Sequence, residues 1–290
     1  MDSFVTIGIC VKNGSDTILG ALESVMAQSF PHEQMEVIVV DDGSEDGTLS
    51  VVHGYASKID MPVKILHYAW QGIGQSRNTV AKNALGKYIV WVDSDMVLSK
   101  NFVKEQVKFM ENNAKVGVAK GVYGILPSAN LVASLENMSF VAENSRSECG
   151  TGGAIYRTEA LRQAGYFDNR LKLAGEDHDA AFKINAAGWL LERSSAVFYE
   201  RPKTSWRRLW SKYFHWGYGL HDACQYNRNL LFLYEMIPLA GFIGGVRRSL
   251  VAYRLTCDKR NFLLPVQFVF KLSAWCLGYM RCHMQSRNEK

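Results

Sequence analysis

The sequence predicts an α/β protein built on a mostly parallel sheet flanked by helices, followed by a C-terminal helical region of different character. Two patterns carry the first part: short β-branched runs alternate with amphipathic runs through residues 1–112, and acidic residues stand where the strands end. The tail is set apart by charge. Residues 1–200 carry 18 Lys and Arg against 24 Asp and Glu, net −6, whereas residues 201–290 carry 15 against 4, net +11.

The first strand is Val5–Val11, and Ser15–Gln28 follows as a helix with Ile18, Leu22, Val25 and Met26 on one face and Ser15 or Asp16 as its cap. The alternation repeats with strand Glu36–Val40 and helix Thr48–Ile59, strand Val63–Tyr68 and helix Gln75–Ala84, strand Tyr88–Val92 and helix Asn101–Asn112. Open sheets of this kind bind ligands beyond the carboxyl ends of their strands. Those ends carry Lys12 and Asn13, then Asp41 and Asp42, then Asp93 and Asp95. From about 115 to 200 the pattern is less regular: a glycine-rich segment Gly150–Gly153, a strand Ala154–Arg157, and Gly175–Asp179 opening a helix Ala180–Ala187 that stops at Gly188. No linker rich in Pro, Gly or Ser interrupts it. The expected organisation is one domain over 1–200, with its nucleotide side in 1–112 and its acceptor side in 113–200, and a basic, aromatic region over 201–290.

A hydrophobic share of 48% with 21% charged residues excludes a disordered chain. Six cysteines without a CxxC pair exclude a zinc finger and point to a reduced, cytoplasmic protein. The opening residues read as a strand rather than a signal peptide, so the sequons at Asn13 and Asn137 are expected to go unused.

Asp93-Ser94-Asp95 closes an apolar strand, so two carboxylates leave the sheet edge together. That pairing suits Mg²⁺ or Mn²⁺, which take oxygen ligands and share them with substrate phosphates; a solvated turn is the bland alternative. Asp41-Asp42-Gly43-Ser44 is ordinary turn chemistry that also places an acceptor for a base or ribose. Gly72-Ile73-Gly74-Gln75-Ser76-Arg77-Asn78 follows the third strand and has Arg77 where a dinucleotide fingerprint needs glycine. Its glycines would let backbone approach a diphosphate that Arg77 neutralises. Glu176-Asp177 opens a helix beside the glycine-rich stretch, as a general base or as a cap.

Taken in order, Val-Val-Asp-Asp-Gly-Ser at 39–44, Gly74 to Asn78, Trp-Val-Asp-Ser-Asp at 91–95, Gly-Gly-Ala-Ile-Tyr-Arg at 152–157, Gly-Tyr-Phe-Asp at 165–168 and Gly-Glu-Asp at 175–177 resemble the family 2 glycosyltransferases of the GT-A fold. The resemblance spans about two hundred residues. It implies an inverting transferase that moves a sugar from a nucleoside-diphosphate donor, UDP being the commonest, to an acceptor hydroxyl or lipid-linked phosphate or glycan. It implies Asp42 beside the base, Arg77 near base or diphosphate, Asp93 near ribose and metal, Asp95 as direct ligand of Mn²⁺ or Mg²⁺, and Asp177 as catalytic base. Cys10, Lys12, Asn13 and Ser94 complete the expected nucleotide contacts, and Gly152, Gly153, Glu176, Arg207, Arg208 and Trp216 those with donor sugar or acceptor. Two departures stand out. Cys10-Val11-Lys12-Asn13 replaces a Pro-Thr-Tyr-Asn-like strand end, and Tyr199 stands where many relatives have a histidine near the metal.

In the tail, Leu230–Val246 and Phe262–Met280 are apolar but interrupted by polar residues, so neither is expected to span a membrane. In the second run, Gln267, Lys271, Gly278 and Arg281 share one helical stripe, as in an interfacial helix, and Arg247, Arg248, Arg254, Lys259 and Arg260 would meet anionic headgroups. The expectation is a peripheral protein on the inner face of the cell membrane that binds no nucleic acid; a homo-oligomer interface is the other use of these runs. A sugar-nucleotide nucleotidyltransferase and a non-catalytic membrane-bound scaffold are the rival functions.

Overall fold

The computed structural model describes residues 5–144, 150–226 and 237–288. They form two compact units. Of the described residues, the first comprises 5–122, 150–172 and 176–200, the second 123–144, 173–175, 201–226 and 237–288.

The first unit is built on one eight-stranded sheet in the order β3-β2-β1-β4-β7-β6-β8-β5. Its parallel half is the part legible as alternation: β1 (Val5–Val11), β2 (Met35–Asp42), β3 (Val63–Tyr68) and β4 (Tyr88–Trp91). Helices α1 (Ile18–Met26), α2 (Thr48–Ala56), α3 (Ile73–Asn83) and α4 (Phe102–Asn112) intervene. β1, β2 and β4 are buried almost throughout because helices cover both faces of a parallel sheet. The other half is β5 (Met96–Leu98), β6 (Val116–Tyr123), β7 (Ala154–Arg157) and β8 (Leu190–Glu200). Here β7 runs antiparallel to both β4 and β6, and β5 antiparallel to β8. The short helix α6 (Thr158–Gln163) and α7 (Glu176–Ala186) complete the unit.

The core lies where α3, β4 and β7 meet. Trp91 is held edge-on by Tyr156 and Phe167, with ring centroids 6.2 and 5.5 Å away. Gly8 makes room for that indole, since a Cβ there would lie 3.0 Å from its ring and 2.7 Å from Val80. Burying each such aromatic contributes about 2–3 kcal/mol. The expected Ser15 or Asp16 cap is not used: α1 starts after Thr17 with no side-chain cap, and the Ser15 amide donates to Asp46 instead.

The second unit is helical: α5 (Leu131–Val141), α8 (Trp206–Tyr226), α9 (Pro238–Thr256) and α10 (Leu264–Asn288). The first unit ends with β8 at Glu200, but residues 123–146 join the helices rather than the sheet. The physical reason is a buried ion pair. Lys271 on α10 donates to Glu136 on α5 at 2.8 Å and to Ser139 at 3.0 Å, and Tyr213 on α8 donates to Glu136 at 3.2 Å. Gln267 and Lys271, read from the sequence as part of the polar stripe of an interfacial helix, are instead 0% and 2% exposed on the inner side of α10. Of the apolar run Leu230–Val246, residues 230–236 lie outside the described residues.

Candidate active site

The site is assembled at the carboxyl ends of β1, β2 and β4. The amide of Val92 donates to the carbonyl of Gly8, carrying β4 one step past its last strand residue before the chain turns through Asp93-Ser94-Asp95. The amide of Met96 donates back to the Asp93 carbonyl at 3.0 Å, so both acids sit on a tight turn that feeds β5. Asp93 is pushed up to about 6, chiefly by loss of solvent and then by Asp95 and Glu200, with Arg77 pulling the other way.

Arg77 is buried on α3, ion-paired with Glu176 at the start of α7 and 3.7 Å from Asp93. The second carboxylate oxygen of Glu176 is buried without a hydrogen-bond partner. Asp177 accepts from its neighbour's amide, His178 N, at 2.8 Å and from Thr151 N at 3.4 Å. Burial alone would raise its pKa, but His178, Arg77 and Lys120 outweigh that and hold the carboxyl below its ordinary value. It is therefore ionised at neutral pH.

The Gly150–Gly153 loop joins these groups. A Cβ on Gly152 would lie 2.6 Å from an Asp93 oxygen and collide with Met96, and one on Gly150 would lie 3.1 Å from Asp177 and 3.3 Å from the ammonium of Lys120. Glycine at 150 and 152 lets one stretch of backbone approach both the strand-end acid and the helix-start acid. Gly153 has φ of 67° and packs on the Phe198 ring.

The nucleotide side is held by backbone-directed hydrogen bonds. Asp42 accepts from the amides of Gln71 and Gly72 at 2.7 and 3.0 Å, fixing the loop after β3, while Asp41 accepts from Ser44 N and contacts His67. Asn13, at φ of 54°, receives the Glu45 amide at 2.9 Å and donates its own amide to Ser44. Ser94 lies against Gly14, and the Cys10 thiol, pushed up to about 12 by burial, is a neutral wall. The two glycines of the 72–78 motif make room for the segment 168–172. A Cβ on Gly74 would lie 2.5 Å from the Asp168 carbonyl, one on Gly72 2.6 Å from Lys172, and Asn78 clamps Phe167 with bonds of 2.8 and 2.9 Å. Arg207, Arg208 and Trp216 are exposed on α8 of the second unit.

Three residues at the site escaped the sequence reading. Lys120 is buried on β6, its charge felt by Asp93 and Asp177; its signal was a lysine inside an apolar strand. Glu200 ends β8 opposite Met96, one residue beyond Tyr199. Trp70 is 49% exposed beside the Asp42-bound loop, with the ammonium groups of Lys12 and Lys172 at 5.2 and 5.6 Å from its ring.

Among the described residues, no three His, Cys, Asp or Glu side chains converge as a metal cage. Asp93 and Asp95 offer a two-carboxylate edge, which fits Mg²⁺ or Mn²⁺ completed by phosphate oxygens rather than a closed protein site.

The fold and this rim define an α/β sheet of the GT-A type. The chain belongs to glycosyl transferase family 2, whose model matches residues 6–169, and a model described as glycosyl transferase family group 2 matches residues 88–282. It is 31% identical over 210 residues to the poly(ribitol-phosphate) beta-N-acetylglucosaminyltransferase TarS of Staphylococcus aureus, an alignment covering 69% of this chain and 36% of that protein. The chain thus spans about a third of that relative's length. Glycosyltransferase AglE of Haloferax volcanii is 26% identical over 83% of this chain and 81% of its own. Among solved structures, the mannosyltransferase PcManGT of Pyrobaculum calidifontis, in complex with GDP-Man and Mn²⁺, shares the fold with a TM-score of 0.69 at 19% identity over 97% of this chain and 88% of that one. Residues 1–349 of Staphylococcus aureus TarS with UDP-GlcNAc give 0.52 at 20% identity over 97% and 92%.

Proposed function

We propose that the chain transfers a sugar from a nucleoside-diphosphate sugar to an acceptor hydroxyl with inversion, in a reaction that depends on Mn²⁺ or Mg²⁺. The observation that carries this is the Gly150–Gly153 loop, which places Asp93 and Asp177 against one short backbone segment. Asp93 and Asp95 would hold the ion. When bound, that ion neutralises the departing diphosphate. Asp177, kept ionised, takes the proton from the acceptor hydroxyl as that oxygen attacks the anomeric carbon. Arg77 fixes Asp93 and Glu176 in place from one guanidinium. The base lies against Trp70, which supplies the aromatic face that the Cys10-Val11-Lys12-Asn13 strand end lacks, with Lys12 moving aside to the phosphates.

UDP is favoured, in keeping with the UDP-GlcNAc complex of TarS, and GDP is the other donor class, in keeping with the GDP-Man complex of PcManGT. The acceptor is a glycan hydroxyl or a lipid-linked saccharide presented on the inner face of the cell membrane. The test is release of nucleotide from UDP- and GDP-sugars with Mn²⁺, comparing wild type with Asp95→Ala. Equal release by the two proteins removes the metal site, and absence of both turnover and nucleotide binding removes the function.

A further inference from the structure

The second unit buries polar groups beside its two small apolar clusters and leaves large apolar side chains outside. Its buried positions include Glu136, Lys271, Gln267, Asn261 and Ser249, and most of the exposed large apolar side chains among the described residues lie between 206 and 284. On α9, Leu239, Ile243, Val246 and Leu250 recur at helical spacing and are 69%, 66%, 40% and 49% exposed. The opposite stripe, Gly241, Gly245, Ser249 and Ala252, is small and buried. A Cβ on Gly245 would lie 2.5 Å from the Pro265 Cα, so α9 and α10 touch backbone to backbone. Gly217 of α8 and Gly278 of α10 do the same at Trp275 and Phe214. Close approach of helix backbones through small residues is how helices pack when lipid is their solvent. On α10, Val266, Leu277, Met280 and Met284 face outward. By length and composition the segment Lys259–Ser286 is apolar enough to cross a membrane: an 18-residue window of it has mean hydropathy 1.3, and 39% of that window is buried.

We infer that the outward apolar stripes of α9 and α10 dock into an anionic lipid bilayer, with the turn between the helices as the leading edge. Charge selects this occupant. Asp258 is the sole acid between residues 237 and 288, and Arg247, Arg254, Lys259 and Arg260 are exposed around Leu255, Phe262 and Leu263. An apolar face ringed by guanidinium and ammonium groups matches acyl chains beneath phosphate headgroups. The inference rests on the reading of an acceptor at a lipid surface and keeps the interfacial helix expected from the sequence, with one change: Lys271 is bonded to Glu136 and Ser139 inside the unit instead of standing on a solvated polar stripe.

The experiment is co-sedimentation of the full chain with vesicles of phosphatidylcholine alone or mixed with phosphatidylglycerol. It compares wild type, Ile243→Ser with Leu250→Ser, and Arg247→Gln with Arg254→Gln, each checked by circular dichroism. Wild type is expected on the mixed vesicles, and loss of the two arginines should weaken partition about thirty-fold. The double serine variant should lose at least as much while releasing nucleotide from donor at the wild-type rate in detergent. Undiminished binding by both variants overturns the inference. So does a vesicle-free dimer, seen by light scattering, that Ile243→Ser dissociates, because the face would then join two copies. Vesicle binding without donor turnover would leave the docking surface standing and remove the transferase reading.

Discussion

Gly152→Ala separates the site from the fold. The added methyl would stand 2.6 Å from an Asp93 oxygen and against the Met96 methyl. Both obstacles are ends of flexible side chains, so the stability cost should stay near the low end of the ~1–3 kcal/mol typical of overpacking. Asp93, however, has to swing away by several tenths of an ångström or more, and its position is what the metal edge needs. A displacement of that order costs on the order of 10²-fold in rate, about 2.7 kcal/mol in transition-state stabilisation. Gly153→Ala is the control. Its Cβ would lie 2.5 Å from the buried Phe198 ring at a φ of 67°, where strain and overpacking add to about 2–4 kcal/mol of lost stability. Urea unfolding and donor turnover, measured on both variants, give the two axes. Gly152→Ala should lower its midpoint only slightly and lose turnover, and Gly153→Ala should lower its midpoint several-fold more. Wild-type turnover in Gly152→Ala, with Mn²⁺ affinity unchanged, would refute the claim that Asp93 at this position carries the reaction.

Asp177→Asn should keep nucleotide binding and lower kcat by about 10²–10⁴-fold, measured by single-turnover release from a saturated donor. Because Asp177 is held below the ordinary carboxylate range, the acid limb of wild-type kcat should not come from it. Mn²⁺ affinity should instead fall as pH drops through about 6, where Asp93 takes up a proton, by about tenfold per pH unit at the lower end; isothermal titration from pH 7.5 to about 5 reads this. Trp70→Ala should weaken UDP and GDP binding by about ten-fold or more while Trp70→Phe restores most of it, since stacking on an aromatic is worth about 1–3 kcal/mol; equal affinities in all three proteins would remove the base platform. Lys271→Met alone leaves Glu136 buried with Lys212 at 3.6 Å as its remaining cation and should cost about 3–5 kcal/mol by urea unfolding. Pairing it with Glu136→Met should recover most of that loss.

Local pattern was enough for the parallel half of the sheet. β1, β3 and β7 fall on the residues read as strands, and the acids at the ends of β2 and β4 could be placed because a continuous apolar run stops there at a turn. The order of the short motifs sufficed for the family as well. What could not be read locally are pairings between distant residues. Arg77 and Glu176 are 99 positions apart, and the contact of Gly152 with Asp93 exists only once β7 has inserted between β4 and β6. β5 has three residues, too few for any periodicity, and β8 is held by partners instead. The tail shows the same division most sharply. Helical spacing correctly placed Gln267 and Lys271 on one stripe of α10, but a period says which residues share a face and never which face meets another helix. Glu136, 135 positions earlier, decided that: a buried carboxylate requires a buried cation, so Lys271 turned inward with Gln267 one turn before it.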